Sequence, residues 1–515
     1  MRTSPRFAAI IGALAMFTSE ADAAGGPRTV TVNAAEAVGR IRSLQGGHWD
    51  PGPAGEALSN HYLDLGIDMI RTHDASGIDG SGAGDIDGVG VDRIFPDWAA
   101  DPANPASYNF GPTDALIENI RDVGAEVFFR VGRSNIGGFA NNAVPADFAK
   151  YADVVKHVVM HYNKGWANGF RYGIRYFEVW NEPDFLPFWA GTSAQYYELY
   201  ERVTLAIKAA DSRALVGGPA ITTFNDYTGL RASFLQFLAA HHVPLDFYSF
   251  HKYTNKSNDP LDYARVADAY RHELDSFGFT RTKLINTEFG TSLSGDPIIG
   301  GEAGRAAFTA VAQVYMQNAP IDKALSYMLT DPSQNPGFLE FSEKENLAFS
   351  AISSLNCTPI RLATSGGDDT GFAVLSGRSA GHDEIRVVIA NYEISPTLMG
   401  PIPGGNDESI DIPGLGHLGT MSYLDRRTIT YQDTEGYNLA VKGIPKDWGD
   451  LSVEQFRIDN ANDLTLVSST VVTKGARKGG DVRVSGTWTH AVAAPPVDPS
   501  GVAQGIDVIV IKSTR

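Results

Sequence analysis

The stretch RYFEVWNEPD, Arg175 to Asp184, runs from apolar, β-prone residues straight into an amide, a carboxylate and a proline. Tyr176, Phe177, Val179 and Trp180 read as a buried strand. Pro183 cannot donate to further ladder pairing, so the strand ends at Asn181-Glu182. Either a buried strand simply meets a loop there, or the carboxylate has been placed at the strand end for chemistry.

Working outward, seven further runs have the same texture: IRSLQGGHW, DMIRTHD, EVFFRVG, ALVGGPA, LDFYSFHKY, KLINTEFG and ALSYMLTD. Helix-like segments separate them, among them TDALIENIRDVG (Thr113 to Gly124) and SAQYYELYERVTLAIKAAD (Ser193 to Asp211). Thr113 reads as the N-cap of the first and Gly124 as its stop. Nearly continuous apolar strands alternating with helices indicate a parallel sheet covered on both faces. Eight such units predict a (β/α)8 barrel across residues 41–354. An open doubly wound sheet is the alternative, but no glycine-rich phosphate fingerprint follows the first strand.

After about Leu355 the pattern changes to alternating strands broken by Gly, Pro and Asp turns, among them GFAVLSG, EIRVVIANYE, GTMSYLDRRTITY and IDVIVIK. A β-sandwich of antiparallel strands is expected over residues 355–515. The early strand RTVTVNA, within residues 24–40, is expected to join it.

The 515 residues carry a formal net charge of -18, which disfavours nucleic acid and anionic membranes as partners and leaves a neutral substrate as the easier fit. Residues 1–23 read as an export signal: Arg2 and Arg6, an apolar FAAIIGALAMF, then ADA for cleavage after Ala23. A secreted or periplasmic location is therefore expected. The single cysteine, Cys357, excludes an intrachain disulfide and reads as a small buried apolar residue.

In barrels of this kind functional groups gather at the C-terminal strand ends. Here those ends supply His48-Trp49-Asp50, Arg71-Thr72-His73-Asp74, Arg130 with Arg133, Asn181-Glu182, His251 with Tyr253, and Glu288. Glu182 and Glu288, on the fourth and seventh strands, would face each other across the barrel mouth. Two such carboxylates suit glycoside cleavage, one protonating the leaving oxygen while the other attacks the anomeric carbon. No cofactor and no metal is called for, and the expected partner is a carbohydrate. The HVVMH segment (His157 to His161) has the spacing of a zinc helix but lacks its glutamate, so a helix-face pair is the better reading. The segment DGSGAGDIDGVGVD (Asp79 to Asp92) matches neither the EF-hand spacing nor a glycine-aspartate nonapeptide, and a lid over the substrate is its expected role.

FEVWNEPD and INTEFG resemble the acid/base and nucleophile motifs of the glycoside hydrolase clan with four/seven barrels. IRTHD, IFPDW, SYNFGPTDALIENIRDVGAEVFFRVG and FHKY, in this order, resemble glycoside hydrolase family 39, the β-xylosidase and α-L-iduronidase group. The resemblance covers most of Ile41 to about Asp331, and an appended β-sandwich accords with it. It implies Glu182 as acid/base, Glu288 as nucleophile and Asn181 as partner of the sugar 2-hydroxyl. It also implies Tyr253 as a donor to the nucleophile, and His73, Asp74, Arg130, Trp180 and His251 as substrate-binding residues. The xylosidases carry a tryptophan followed by acidic residues on the last strand, where this chain reads SYMLTDPSQNPGF, with Met328 and Leu329. β-Xylosidase-like exo-hydrolysis is thus expected with α-L-arabinosidase or endo-acting hydrolysis as alternatives, and a carbohydrate-binding protein without turnover as the non-enzyme alternative.

Overall fold

Eight parallel strands close on themselves as a barrel: Gly46–His48, Met69–Arg71, Glu126–Val131, Tyr176–Val179, Leu215–Ile221, Phe247–Tyr253, Lys283–Gly290 and Lys323–Ser326. They correspond one to one with the eight runs read from the sequence. The computed structural model describes residues 26–72, 76–77, 86–87, 90–133, 142–222, 229–253, 259–290, 301–327, 343–392, 409–412, 416–420, 434–477, 481–489 and 503–514. His73, Asp74, the export segment, Met328, Leu329 and most of Asp79 to Asp92 lie outside the described residues.

The barrel interior is built in layers, as the two-residue period of strands dictates. Met69, Phe128, Tyr176, Phe247, Ile285 and Leu325 form an apolar plug. Two residues further along three of these strands come Arg71, Arg130 and Glu178, all buried. A polar layer therefore rests on an apolar floor. Outward-facing neighbours such as Phe129, Phe177 and Val216 join the outer core beneath the helices.

The helices follow from local signals. Ser193–Ala210 starts in a capping box, with the Thr192 hydroxyl accepting from Gln195 N and Gln195 reaching back to Thr192 N. Phe148–Lys164 is capped by Asp147, which accepts from Lys150 N, and stops at Gly165 in the left-handed region. The helix expected to start after Thr113 spans Gly111–Asp122 instead, with Phe110 at the N-cap and no side-chain cap. Pro112 near its start accounts for the earlier boundary, since its fixed φ favours the first helical turn. On Phe148–Lys164, His157 Nδ1 bonds Asp153 O at 2.8 Å, while His161 bonds Trp166 O at 2.9 Å and Asp114 Oδ1 at 3.1 Å. The HVVMH pair is structural.

A second, nine-stranded sheet follows the order 463–472, 450–458, 505–514, 384–391, 372–378, 360–365, 28–40, 434–442, 482–489. Ala373, Leu375, Val388, Ala390, Val508 and Val510 join the same core as the barrel helices. The sheet encloses its own core, including Val32, Phe372, Ile389, Trp448, Trp488 and Ile511. It does so by folding over: the Tyr437 hydroxyl, on the eighth strand in that order, donates to Asp507 Oδ2 on the third at 2.7 Å. Its pairing is mixed rather than wholly antiparallel, because Arg28–Arg40 runs parallel to Thr434–Lys442. Cys357 is exposed, contrary to the expectation of burial, because the 3-10 turn Ser354–Cys357 leaves the barrel at the surface. No helix among the described residues is long and apolar enough to cross a membrane.

Candidate active site

Two local departures from regular strand geometry aim the carboxylates. On the seventh strand Leu284 faces the outer core and Ile285 the plug, so strict alternation would turn Glu288 outward. A register shift between Asn286 and Glu288 pairs Glu288 with His251 instead. Glu288 then faces inward, and Phe289 takes the place in the outer core. On the fourth strand Trp180 and Glu182 adopt φ of 75° and 46°, in the left-handed region that non-glycine residues seldom occupy. Three bonds hold this turn: Trp180 N to Val131 O at 3.1 Å, Trp180 Nε1 to Phe188 O at 2.9 Å and Glu182 N to Ala220 O at 3.1 Å.

The side chains meet above the apolar plug. Arg71 Nη1 donates to Glu288 Oε1 at 2.7 Å, and the Tyr253 hydroxyl donates to Glu288 Oε2 at 2.7 Å. His251 Nδ1 lies 2.6 Å from Glu182 Oε1 and 3.4 Å from Glu288 Oε2. An oxygen of Glu182, one of Glu288 and a ring nitrogen of His251 all lie within 4.8 Å of one another. This trio has the donor types of a metal site, but the Arg71 guanidinium on Glu288 already supplies a positive charge, which repels a divalent cation. Burial alone would lower the Arg71 pKa; the charges of Glu178 and Glu288 outweigh it and raise it, so the guanidinium stays charged. Burial and then the Glu288 charge push the Tyr253 phenol well above its ordinary range, which keeps it a donor.

Asn181 Oδ1 accepts from Arg71 Nη2 at 2.8 Å, which fixes the amide. Its Nδ2 is buried with no hydrogen-bond partner, a donor ready for a ligand hydroxyl. Of the residues expected at the site, Glu182, Glu288, Asn181, His251 and Tyr253 thus come together. Trp180 does not face them. It is 2% exposed and packs at 5.0 Å from Trp189 and 6.2 Å from Tyr151, because its left-handed φ breaks the alternation and sends the indole into the outer core. Arg130 sits in the polar layer with Nη1 on Arg133 O at 2.9 Å, but no hydrogen bond or ion pair joins it to the carboxylates, and its Nε and Nη2 are unmatched. Three further residues complete the site: Arg71, expected among the strand-end polar groups but given no role, and Glu178 and Tyr327, which were not expected there. Arg71 and Glu178 are readable as charged residues at inward positions of buried strands, which demand partners. Tyr327, at the end of the eighth strand, stands edge-on to His48 at 5.2 Å and Tyr253 at 6.4 Å.

The family model for glycosyl hydrolases family 39 matches residues 84–278, a span that includes Glu182. A β-xylosidase of Geobacillus stearothermophilus is 30% identical over 315 residues, 54% of this chain and 58% of that protein. Among solved structures, a glucosidase from Croceicoccus marinus is 28% identical with a TM-score of 0.79, covering 95% of this chain and 100% of that one.

The family model and these relatives support glycosyl hydrolases family 39 for this chain.

A likeness of fold extends to a monomeric β-xylosidase from Caulobacter crescentus, 15% identical with a TM-score of 0.64 over 95% of this chain and 100% of that one. A β-xylosidase of Caldicellulosiruptor saccharolyticus is 28% identical over 162 residues, 28% of this chain and 31% of that protein. The chain spans less than two thirds of the length of either curated β-xylosidase. Arg71, Glu178, Glu182 and Glu288 are all buried at the end of the barrel on which the two carboxylates converge.

Proposed function

We propose that this chain is a family-39 retaining exo-glycosidase of the β-xylosidase-like type. The observation that carries the reading is the asymmetry of the two carboxyl groups, one clamped by a guanidinium and a phenol, the other set against His251. Glu288 receives a donor on each oxygen and is suited to remain ionised as nucleophile. Glu182 is the acid/base. In the first step Glu288 bonds the anomeric carbon as the glycosidic C–O bond breaks, and the Glu182 proton passes to the leaving oxygen. In the second, Glu182 takes a proton from water, whose oxygen displaces Glu288 and releases the sugar. The proximity of the two carboxyl groups, with oxygens within 4.8 Å, supports a direct displacement, since an inverting pair needs room for an intervening water.

A glucoside is a second reading of the glycone, favoured by the likeness to the Croceicoccus marinus glucosidase over that chain's whole length. The basic, apolar and small-residue order of the N-terminus supports export. A panel of aryl xyloside, arabinosides, glucoside and iduronide tests turnover and glycone together, and proton NMR of the first-released sugar reports its anomeric configuration. Glu182→Ala is expected to keep glycosylation with an aryl leaving group and to be rescued by azide, and Glu288→Ala to be inactive on every substrate. Initial product of inverted configuration, or wild-type turnover by both variants, would overturn the reading.

A further inference from the structure

The turn that delivers Glu182 continues into an apolar prominence. Phe185 is 48% exposed and Leu186 71%, and Phe185 is the one aromatic among the large, exposed apolar side chains of the described residues. Both belong to the turn that starts at the acid/base itself, since Phe185 N donates to Glu182 O at 3.0 Å. The turn is rigid. Phe188 N and Trp189 N both bond Phe185 O, at 2.9 and 3.1 Å, and Ala190 N bonds Asn142 O at 2.9 Å. Pro183 and Pro187 fix two further φ angles.

Several polar groups of this turn are engaged within the protein. Asn142 Nδ2 donates to Leu186 O at 2.8 Å, Trp180 Nε1 to Phe188 O, and the Asp184 carboxylate accepts from Thr222. A second sugar ring needs hydroxyl partners beside any apolar platform, whereas an alkyl or aryl group needs only the platform. Isolated apolar side chains on a surface are ordinary; these two are adjacent and stand on a hydrogen-bonded turn that begins at Glu182.

We infer that Phe185 and Leu186 form an aglycone subsite that selects glycosides with an apolar leaving group over those whose leaving group is another sugar. The inference rests on the reading of Glu182 as the acid, because the leaving oxygen must lie on the side from which the proton comes.

The test compares octyl and methyl glycosides of the same sugar, whose leaving groups are chemically alike, with the matching disaccharide. Wild type is expected to favour octyl over methyl at least tenfold in kcat/KM, chiefly through KM. Phe185→Ser/Leu186→Ser should bring the octyl-to-methyl ratio down about tenfold, and Leu186→Ser alone part of the way. A ratio that does not move, or an equal loss on the disaccharide, would overturn the subsite. So would sedimentation showing that the patch holds two copies of the chain together and that the double variant separates them. Calorimetric titration with the hydrolysis-resistant octyl and methyl thioglycosides gives the same comparison without turnover. If octyl binds more tightly and no glycoside is cleaved, the hydrolase reading fails and the subsite stands; if both bind alike, the subsite fails.

Discussion

Arg71 grips Glu178 with two nitrogens, Nε at 2.7 Å and Nη2 at 2.6 Å, and neither side chain reaches solvent. The same guanidinium reaches Glu288 and Asn181, so one residue of the second strand sets the positions of groups from the fourth and seventh. Removing one member of a buried pair strands the other charge, at about 3–5 kcal/mol. Glu178→Ala is therefore expected to lose about that much stability in urea unfolding, with activity falling more than tenfold as Arg71 loses its anchor. A loss below about 1 kcal/mol would mean that Arg71 is held from elsewhere.

Tyr253→Phe removes the donor at Glu288 Oε2 and nothing else of the ring. A hydrogen bond to a charged group contributes about 1.5–3 kcal/mol, so kcat/KM should fall roughly ten- to a hundredfold. Losing a donor to the ionised form also makes that form less favourable, so the acidic limb of the pH–rate profile should move to higher pH. An acidic limb that stays in place separates the hydroxyl from the ionisation of Glu288.

Asn181 has its oxygen on Arg71 and its Nδ2 unmatched. If that donor meets the sugar 2-hydroxyl, Asn181→Ala and a 2-deoxy substrate should each cost about tenfold or more, and the two together little beyond one alone. Fully additive losses in this cycle would place the amide elsewhere.

Arg130 is 1% exposed and leaves two buried N–H groups without acceptors. Such groups cost about 1–3 kcal/mol each, so Arg130→Met is expected to be as stable as wild type or more so. Its kcat/KM should stay within roughly threefold of wild type, since mutations with no contact at the reacting centre act only through positioning. A thirtyfold drop with intact folding would make Arg130 a substrate ligand after all.

Glu345, buried between the helices Gly301–Met316 and Glu343–Ser353, accepts from the Thr309 hydroxyl at 2.7 Å. Burial pushes its carboxyl from an ordinary 4.5 up to about 7, against the lowering effects of Thr309 and Arg305. Between those values the unfolded chain is ionised there while the folded one is not. Its contribution is therefore complete below pH 4.5 and is lost as pH rises through 7. Glu345→Gln keeps an acceptor and cannot ionise. Its stability advantage over wild type should grow from nothing at pH 4 to on the order of 3 kcal/mol at pH 8, read from urea midpoints. A difference that is flat with pH would contradict the shift.

The barrel is legible in the sequence because its strands are apolar on both faces, and the candidate site because charges terminate those strands. What escapes such a reading depends on single-residue irregularities. The bulge before Glu288 shifts the register by one, and nothing in KLINTEFG marks it. The left-handed φ at Trp180 reverses one side chain, so an aromatic beside an acid/base reads as a sugar contact although it belongs to the outer core. Glu178 is legible in principle. An acidic residue between Phe177 and Val179, in a strand whose outward neighbours are apolar, must face inward to a partner. The mixed pairing of the second sheet is not, because Arg28 and its ion-pair partner Glu435 stand 407 residues apart.

The strand Arg28–Arg40 also pairs antiparallel with Ile360–Ser365, Arg40 opposite Ile360, and Ile41 N bonds Pro359 O at 2.9 Å just beyond. The polypeptide thus enters and leaves the barrel at one clasp. Everything between is a lobe whose two ends touch, and whose helices also pack on the sheet through Ala373, Leu375 and Val508. A protease nick in a surface loop of that lobe would leave both pieces tethered to the same sheet. For the engineer, the clasp offers a ready joint: the lobe could be grafted between neighbouring strands of another scaffold, or given new ends elsewhere, without stretching the connection.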